Sequence, residues 1–261
     1  MRLAIFGATG RMGLAIARLA HAAPDVEVVG GVCADGDAGV GRDIGELAGI
    51  GQMGVVTTPD LASGLLGADV VIDFSVAAAA PQLFNVAARQ KVAIVSGTTN
   101  LDDAGKKALD KASQTVPVLW APNMSLGVQV LAELVEQAVR RLGLGFDVEI
   151  TEVHHRKKVD SPSGTAKRLA EAARAARPAL REIHGRSGDV GARTDEEMAV
   201  FGLRGGDVVG DHTVYLFGQG ERLELTHRAS NRDLFAHGAI VAARFLAGKP
   251  AGRYTIADVL G

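Results

Sequence analysis

The residues with the most chemical potential in this chain lie between positions 149 and 166, which read EITEVHHRKKVDSPSGTA. His154 and His155 can carry a proton near neutral pH, and a lysine such as Lys158 can act as a general acid or base. The small residues at 163–165 then precede a helix-forming run. The N–H groups and the positive dipole end at such a helix start suit a carboxylate. The segment therefore predicts a site that binds a carboxylate and moves a proton.

Three other interpretations compete with this one. A run such as 154–158 is also typical of a solvated charged surface, and 163–165 is also typical of a helix cap with no further role. Metal binding is the weakest alternative, because two adjacent histidines without a nearby cysteine or a spaced third histidine give poor ligand geometry. We therefore predict no metal.

A second functional pattern lies near the N-terminus. Gly7, Gly10 and Gly13 stand between an apolar run at 2–6 and a helical run at 14–22. Their spacing, G-x-x-G-x-x-G, is a variant of the dinucleotide-binding fingerprint. Such glycines let the turn close and let the backbone approach a pyrophosphate at the helix start. The pattern predicts a dinucleotide site, and the alternative is a turn that simply needs glycine.

The choice of dinucleotide depends on the end of the second predicted strand. An acidic residue about 20 residues beyond the glycine turn commonly binds the ribose 2′-OH of NAD. Asp35 lies in this region, with no lysine or arginine beside it to meet a 2′-phosphate. Arg11, inside the glycine turn, is the nearest basic candidate. Unless Asp35 is an ordinary loop residue, we expect NADH to be used at least as well as NADPH.

Apolar runs alternate with alanine-rich helical segments through the first 125 residues. Strands are predicted at 2–6, 26–32, 68–74, 92–95 and 116–120, with helices that include 77–90 and 102–113. This alternation predicts a parallel sheet that is covered on both faces. The segments 96–99 and 121–125 follow two of the strands, and ligands of such sheets lie beyond the carboxyl ends of strands.

The pattern changes from Ser125 onwards. A helix with apolar positions from Val128 to Leu142 is followed by strand-like segments and one further helix. These strands are predicted at 146–153, 197–203, 208–217 and 221–227, the last two joined as a hairpin by the turn at 218–220. The prediction is an α/β fold with a dinucleotide-binding domain at 1–125 and an α+β domain at 126–234. The helix at 231–247 predicts that 235–261 complete the first domain.

Composition excludes several classes of function. A formal net charge of −2 provides neither a basic patch for nucleic acid nor a polybasic membrane signal. The longest stretch without charge, 112–132, contains prolines and polar residues unsuited to a spanning helix. The single cysteine, Cys33, cannot form an intrachain disulfide, which favours a cytoplasmic protein.

Residues 149–166 resemble the signature of the 4-hydroxy-tetrahydrodipicolinate reductase (dihydrodipicolinate reductase) family, E-[IV]-x-E-x-H-x3-K-x-D-x-P-S-G-T-A. Every fixed position is matched, by Glu149, Ile150, Glu152, His154, Lys158, Asp160, Pro162, Ser163, Gly164, Thr165 and Ala166. The resemblance covers the whole chain. It includes GATGRMG at 7–13, SGTT at 96–99, APNMS at 121–125, GDVVGDHTV at 206–214 and GERLELTHRASNRDLFAHGA at 220–239.

The resemblance implies a fold and an activity. It implies an N-terminal Rossmann-type dinucleotide-binding domain and a C-terminal α+β domain that binds substrate and whose sheet builds a homotetramer. The implied reaction is the reduction of 4-hydroxy-tetrahydrodipicolinate, a small dicarboxylate, to tetrahydrodipicolinate. NADH or NADPH would be the cofactor, and the pathway would be lysine biosynthesis through diaminopimelate.

The resemblance also implies roles for individual residues. His154 corresponds to a catalytic proton donor or acceptor and Lys158 to a catalytic proton donor. The implied substrate-binding residues are His155, Ser163, Gly164 and Thr165. The implied cofactor-binding residues are Gly7, Ala8, Thr9, Gly10, Arg11, Met12, Asp35, Gly97, Thr98, Thr99, Ala121, Pro122, Asn123 and Met124. Many relatives carry Glu-Arg after the second strand, where this chain has Cys33-Ala34-Asp35, so an NADP preference is not carried over.

Other oxidoreductase classes lack their characteristic residues in this chain. A short-chain dehydrogenase would need Tyr-x-x-x-Lys, but Tyr215 is followed four residues later by Gln219, and Tyr254 by Asp258. An aldehyde dehydrogenase would need a nucleophilic cysteine, and Cys33 lies in the cofactor half. The remaining alternatives are a non-catalytic NAD-sensing protein and another Rossmann-type oxidoreductase that acts on a small dicarboxylate.

Overall fold

The computed structural model describes all 261 residues and divides them into two compact units. The first unit comprises Met1–Ser125 and Asp233–Gly261, and the second comprises Leu126–Arg232. Each unit has its own sheet. None of the helices combines the length and the apolar character that crossing a bilayer requires.

The first unit alternates strands and helices, as its sequence pattern predicts. Numbered in chain order, its elements are β1 (Arg2–Phe6), α1 (Arg11–His21), β2 (Glu27–Val32), α2 (Ile44–Ala48), β3 (Thr57–Thr58), α3 (Leu61–Gly64), β4 (Val70–Asp73), α4 (Ala80–Gln90), β5 (Ala93–Ser96), α5 (Asp103–Ser113), β6 (Pro117–Trp120), α8 (Asp233–Leu246), β12 (Gly252–Tyr254) and α9 (Ile256–Leu260). The five predicted strands are all present. The short elements α2, β3, α3, β12 and α9 were not predicted.

The sheet of the first unit is parallel throughout, in the order β12-β6-β5-β4-β1-β2-β3. Strands β4 and β5 are buried along their whole length, because helices cover both faces of such a sheet. The chain runs outwards from β1 to β3 and then returns to β4 on the other side of β1. The strand order therefore reverses between β1 and β4, where open α/β sheets bind their ligands.

The second unit has the predicted α+β character. Its elements are α6 (Leu126–Leu142), a 3₁₀ turn (Gly143–Gly145), β7 (Asp147–His154), α7 (Gly164–Ala176), β8 (Arg181–Ile183), β9 (Glu197–Arg204), β10 (Gly210–Gly218) and β11 (Glu221–Ala229). The strand order is β11-β10-β7-β9-β8. Strands β10 and β11 form the predicted antiparallel hairpin, while β9 runs parallel to β7. Strand β8 was not predicted.

Strand β7 connects the core of the second unit to its polar end. Val148 and Ile150 are fully buried and share a hydrophobic core with residues of α6 and α7 such as Val135. Since side chains alternate along a strand, Glu152 and His154 lie on this same face. The residues with catalytic potential therefore continue the buried face of the sheet, beyond the point where its apolar residues end.

Candidate active site

A buried carboxylate, that of Glu152, is the centre of the site in the second unit. Its Oε2 lies 2.5 Å from Nδ1 of His154 and accepts a hydrogen bond of 2.8 Å from Nη1 of Arg204. Its Oε1 accepts hydrogen bonds from Nη2 of Arg204 at 2.8 Å and from the Ser163 backbone N–H at 3.1 Å. Although burial raises the pKa of Glu152, the bonds from Arg204 and His154 outweigh it and lower that pKa overall. Glu152 is therefore a fully satisfied, ionised carboxylate.

The register of three strands assembles this cluster. Glu152 lies opposite Gly202 of β9 and His212 of β10, and His154 lies opposite Arg204 of β9. The absence of a side chain at Gly202 is required, because a Cβ there would lie 2.9 Å from Oε1 of Glu152. The pairing of β7 with β9 and β10 thus brings Arg204 and His212 next to Glu152 and His154. The sequence around Arg204 and His212 does not by itself indicate these contacts.

The ring of His154 has a fixed orientation. Only 8% of the residue is exposed, and its hydrogen bond to Glu152 uses Nδ1. On the opposite side of the ring, Nε2 lies against Gly210, where an added Cβ would approach it to 2.9 Å. Burial lowers the pKa of His154, and the hydrogen bond to Glu152 opposes that shift. This leaves Nε2 as the ring nitrogen that is able to exchange a proton with a ligand.

Lys158 lies in the loop that follows β7. Its Nζ donates a hydrogen bond of 2.8 Å to Oδ1 of Asp160, and this bond lowers the pKa of Asp160. The backbone oxygen of Asp160 in turn accepts a hydrogen bond of 2.7 Å from Nη2 of Arg204. Arg204 therefore connects the loop that carries Lys158 to the carboxylate that contacts His154. In the same loop, Nε2 of His155 lies 3.2 Å from Nη2 of Arg232.

Three of the four predicted substrate-binding residues, Ser163, Gly164 and Thr165, lie at the start of α7. Ser163 caps this helix, since its Oγ accepts a hydrogen bond from the Ala166 N–H, and the same Oγ lies 3.0 Å from Nε2 of His212. The Ser163 hydroxyl is thus engaged within the protein. Gly164 and Thr165 are the first two residues of α7, where the helix dipole favours a carboxylate.

His212 is a buried histidine that sequence reasoning missed. Its ring packs edge-on against that of His154, with 5.1 Å between the ring centroids. Burial, and to a lesser extent the neighbouring His154, lowers the pKa of His212 to about 4. Its Nδ1 is buried without a hydrogen-bond partner, which also disfavours a charged ring. His212 is therefore neutral near pH 7 and adds no positive charge beside His154.

Arg204 was missed as well, and Glu152 was recognised only as a position of the family motif. A sequence signal exists for Glu152, because a residue two before His154 in a strand must share its face. No such signal exists for Arg204 or His212, which reach the site through strand pairing alone. No cluster of three or more His, Cys, Asp or Glu side chains has the arrangement of a metal site.

The glycine turn of the first unit has the features of a pyrophosphate site. Gly7 has a φ of +79°, which favours glycine, and a Cβ at Gly13 would collide with the Gly7 carbonyl group and with Ala8. Gly10 provides no side-chain cap to α1, so the backbone N–H groups of the first helical turn are not satisfied by a cap. A close backbone approach and an uncapped helix start at the switch point of the sheet fit a dinucleotide.

The other predicted cofactor residues follow strands of the same parallel sheet. The segment 97–99 follows β5 and the segment 121–124 follows β6, so both lie at its carboxyl edge with the glycine turn. Thr98 is buried and donates a hydrogen bond of 2.9 Å to Oδ2 of Asp73. Its side chain therefore fixes the loop, and Thr99 is the exposed residue of this segment.

The loop beyond β2 contains two aspartates with different surroundings. Asp35 is exposed. Asp37 accepts a hydrogen bond of 3.0 Å from the hydroxyl of Thr9 in the glycine turn, and another of 2.7 Å from the Gly39 N–H. The structure thus connects the glycine turn to this loop through Asp37, which sequence reasoning did not single out.

Two family models together match almost the whole chain. The one described as dihydrodipicolinate reductase, N-terminus, matches residues 1–124, and the one described as dihydrodipicolinate reductase, C-terminus, matches residues 127–260. This chain belongs to the dihydrodipicolinate reductase family. The resemblance seen in the sequence is thereby confirmed.

Curated relatives of the dihydrodipicolinate reductase family match over nearly their full length. The chain is 49% identical to the 4-hydroxy-tetrahydrodipicolinate reductase of Anaeromyxobacter sp. (strain Fw109-5), and the match covers 100% of this chain and 98% of that relative. The protein of the same name from Myxococcus xanthus (strain DK1622) is 47% identical, with the same coverage.

Solved structures show the same fold. Dihydrodipicolinate reductase from Paenisporosarcina sp. TG-14, solved with dipicolinate bound, has a TM-score of 0.78 at 22% identity and covers 98% of this chain and 97% of its own. A myo-inositol dehydrogenase from Lactobacillus casei, solved with NAD(H) and myo-inositol, has a TM-score of 0.59 at 14% identity. The match covers 99% of this chain and 90% of that dehydrogenase. The predicted two-part α/β architecture is confirmed.

Proposed function

We propose that this chain reduces 4-hydroxy-tetrahydrodipicolinate to tetrahydrodipicolinate with a nicotinamide cofactor, as a step of lysine biosynthesis through diaminopimelate. The observation that carries this proposal is the match of both halves of the chain to the reductase family. Full-length relatives named for this activity support it. The second unit supports it with His154, which we propose as a proton donor, and with the loop that carries Lys158. It also provides a helix start that suits a carboxylate.

Binding of the substrate uses the second unit. We assign one of its two carboxylates to the start of α7, where Gly164 and Thr165 provide backbone N–H groups and a hydroxyl. His155, in the loop before this helix, is assigned to the same substrate. When bound, the cofactor supplies the hydride, and the protein contributes orientation and charge.

The chemistry of the substrate requires a proton as well as a hydride. Loss of the 4-hydroxyl group as water, which takes a proton from C3, gives a double bond between C3 and C4. Addition of hydride at C4 then leaves an enamine-like carbanion that takes a proton at C3. We assign the donation of this proton to His154 and Lys158. Each is held by a carboxylate, His154 by Glu152 and Lys158 by Asp160.

The cofactor is assigned to the carboxyl edge of the first unit's sheet. The residues that we propose are Gly7–Met12, Asp35, Gly97–Thr99 and Ala121–Met124. The exposed carboxylate of Asp35 is the group proposed for the ribose 2′-OH, with Arg11 as the cation available to a 2′-phosphate. Electrostatic repulsion by Asp35 is screened over a Debye length of about 8 Å at physiological ionic strength, so its effect on preference depends on its distance from the ribose.

The cofactor assignment predicts a modest preference for NADH, which two variants should shift in opposite directions. The wild-type chain should use NADH at least as well as NADPH. Asp35→Ala should weaken binding of NADH and improve that of NADPH, and Arg11→Ala should weaken NADPH more than NADH. Titration of both cofactors, followed by nicotinamide fluorescence, measures this without turnover. A kcat/KM clearly higher for NADPH in the wild-type chain would show that Asp35 does not contact the ribose.

Assembly and location are further proposals. The face of the second unit's sheet away from α6 and α7 exposes Phe201, Leu203 and Phe217, with Tyr215 stacked on Phe217 at 5.5 Å. Exposed apolar groups on a sheet face support contact with other copies of the chain, and the family resemblance implies a homotetramer. We also propose a cytoplasmic location and no nucleic-acid partner, on the composition and the single cysteine.

A further inference from the structure

We propose that Glu152 and Arg204 are positioning residues that hold His154 with its proton on Nδ1, so that Nε2 is the atom that delivers the proton to the substrate. This inference rests on the proposed reduction, to which it adds a residue-level device. Neither residue is assigned to touch the substrate or the cofactor. Both act through the imidazole ring.

The hydrogen-bond geometry carries the first step of this inference. A carboxylate can only accept hydrogen bonds, so the 2.5 Å contact of Glu152 Oε2 with His154 requires a proton on Nδ1. Arg204 binds both oxygens of Glu152 at 2.8 Å, a two-pronged contact that a guanidinium makes and an ammonium does not. Because the carboxylate cannot rotate away from Arg204, it fixes the tautomer and the plane of the His154 ring.

Burial and charge carry the second step. A carboxylate as deeply buried as that of Glu152 is unfavourable unless it is paired and hydrogen-bonded. The groups that face His154 are Glu152 on its own strand, Arg204 from β9, His212 from β10 and Lys158 from the following loop. Of these, only Glu152 favours the protonated ring. Its removal would leave burial and the positive charges to act together, and the pKa of His154 would fall further.

The proton step that follows is balanced. In the protonated ring, Nδ1–H stays hydrogen-bonded to Glu152 while the Nε2–H bond breaks. The proton goes to C3 of the reduced ring, whose electron pair forms the new C–H bond, and the N–H pair remains on Nε2. The ring then takes up a proton from solvent. Glu152 remains ionised throughout, as the aspartate does in a serine-protease triad.

The inference also explains why one carboxylate takes part in four hydrogen bonds. Besides His154 and Arg204, Glu152 binds the Ser163 N–H directly before α7, and Arg204 binds the backbone oxygen of Asp160. The donor histidine, the loop that carries Lys158 and the proposed substrate-binding helix start are thereby connected through one pair of side chains.

The test is the pH dependence of kcat for the full-length wild type and Glu152→Gln. The amide of glutamine can present an NH2 group to Nδ1, which favours the wrong tautomer, so kcat near pH 7 should fall by about 10² to 10⁴, the latter being the loss for the analogous change in a serine protease. The limb on which activity falls with rising pH should move to lower pH, since the protonated ring is the active form and has lost its carboxylate. KM for the substrate should change by no more than a few-fold.

Two further variants separate a positioning role from a general loss of structure. Glu152→Asp retains the charge and should recover part of kcat and part of the shift of the pH limb. Glu182→Gln removes a carboxylate that pairs with Arg174 at 3.0 Å in the same unit, outside the site, and should change neither quantity. A Glu152→Gln enzyme with its pH limb unmoved, whether or not its kcat falls, would overturn the inference.

Nitrogen chemical shifts of the histidine side chains give a readout that does not depend on turnover. The His154 signals, assigned by their loss in His154→Asn, should report a proton on Nδ1 in the neutral wild-type ring and a shift of the tautomer in Glu152→Gln. A neutral ring protonated on Nε2 in the wild type would contradict the inference. Failure of the wild type to reduce the substrate would instead contradict the proposed function, and these shifts would still decide the tautomer.

Discussion

His154→Ala and Lys158→Ala should each lower kcat by about 10²-fold or more, the loss that accompanies removal of a general acid or base. His154 is held by Glu152 and Lys158 by Asp160, so each variant removes a proton-carrying group from an ordered position. Neither side chain belongs to the first unit. Affinity for the nicotinamide cofactor, measured by fluorescence titration, should therefore barely change.

A histidine outside the site provides the control for this pair. His184 also belongs to the second unit, but 61% of its side chain is exposed, and His184→Ala should leave kcat near the wild-type value. If both His154→Ala and Lys158→Ala also retained a kcat near the wild-type value, the assignment of the proton to these residues would be wrong.

Thr165→Val should raise KM for the substrate about ten- to a hundred-fold. Thr165 is the second residue of α7, and valine retains its shape but lacks the hydroxyl donor proposed for the substrate carboxylate. The loss of one hydrogen bond to a charged group costs on the order of 1.5–3 kcal/mol. Steady-state kinetics at saturating cofactor measure the effect, and kcat should change less than KM.

Thr194→Val is the matched control, because Thr194 is exposed in the same unit and its hydroxyl makes only a long hydrogen bond of 3.4 Å to Glu197. Its KM should equal that of the wild type. An unchanged KM in Thr165→Val would mean that the carboxylate lies elsewhere or that backbone N–H groups alone hold it.

Local sequence patterns predicted the structure correctly where the interacting residues are neighbours in the chain. The strand–glycine–helix order at 2–21 predicted a glycine turn, and Gly7 in that turn has a positive φ. The turn could be predicted because the glycines and the flanking apolar runs are close together in the chain. The segment from His154 to Thr165 likewise leads from the end of a strand to the start of a helix, as expected. In both cases the residues that matter are neighbours in the chain.

Strand pairing brings together residues whose contacts could not be predicted from the sequence. Arg204 and His212 are 52 and 60 residues from Glu152 in sequence, and only the register of β9 and β10 with β7 brings them together. Periodicity can indicate which face of a strand a residue occupies, but it carries no information about which strand lies alongside. The central role of Glu152 became visible only with its partners.

The missed elements have a different cause. Strands β3, β8 and β12 have two or three residues, and helices α2 and α3 have five and four. Such lengths are too short to establish a period of either 2.0 or 3.6 residues. The clearest local signals were the helix-capping side chains of Asp43 and Asp60, each of which accepts hydrogen bonds from two backbone N–H groups of the helix that it caps.

The most direct test of the proposed function is an assay of the purified chain with freshly generated 4-hydroxy-tetrahydrodipicolinate, supplied by the synthase that forms it. NADH and NADPH are compared side by side at the nicotinamide absorbance. We predict substrate-dependent oxidation of the cofactor, with NADH at least as effective as NADPH, and its loss in His154→Ala. Binding of the cofactor without any oxidation of either form would contradict the account and favour a non-catalytic NAD-sensing protein.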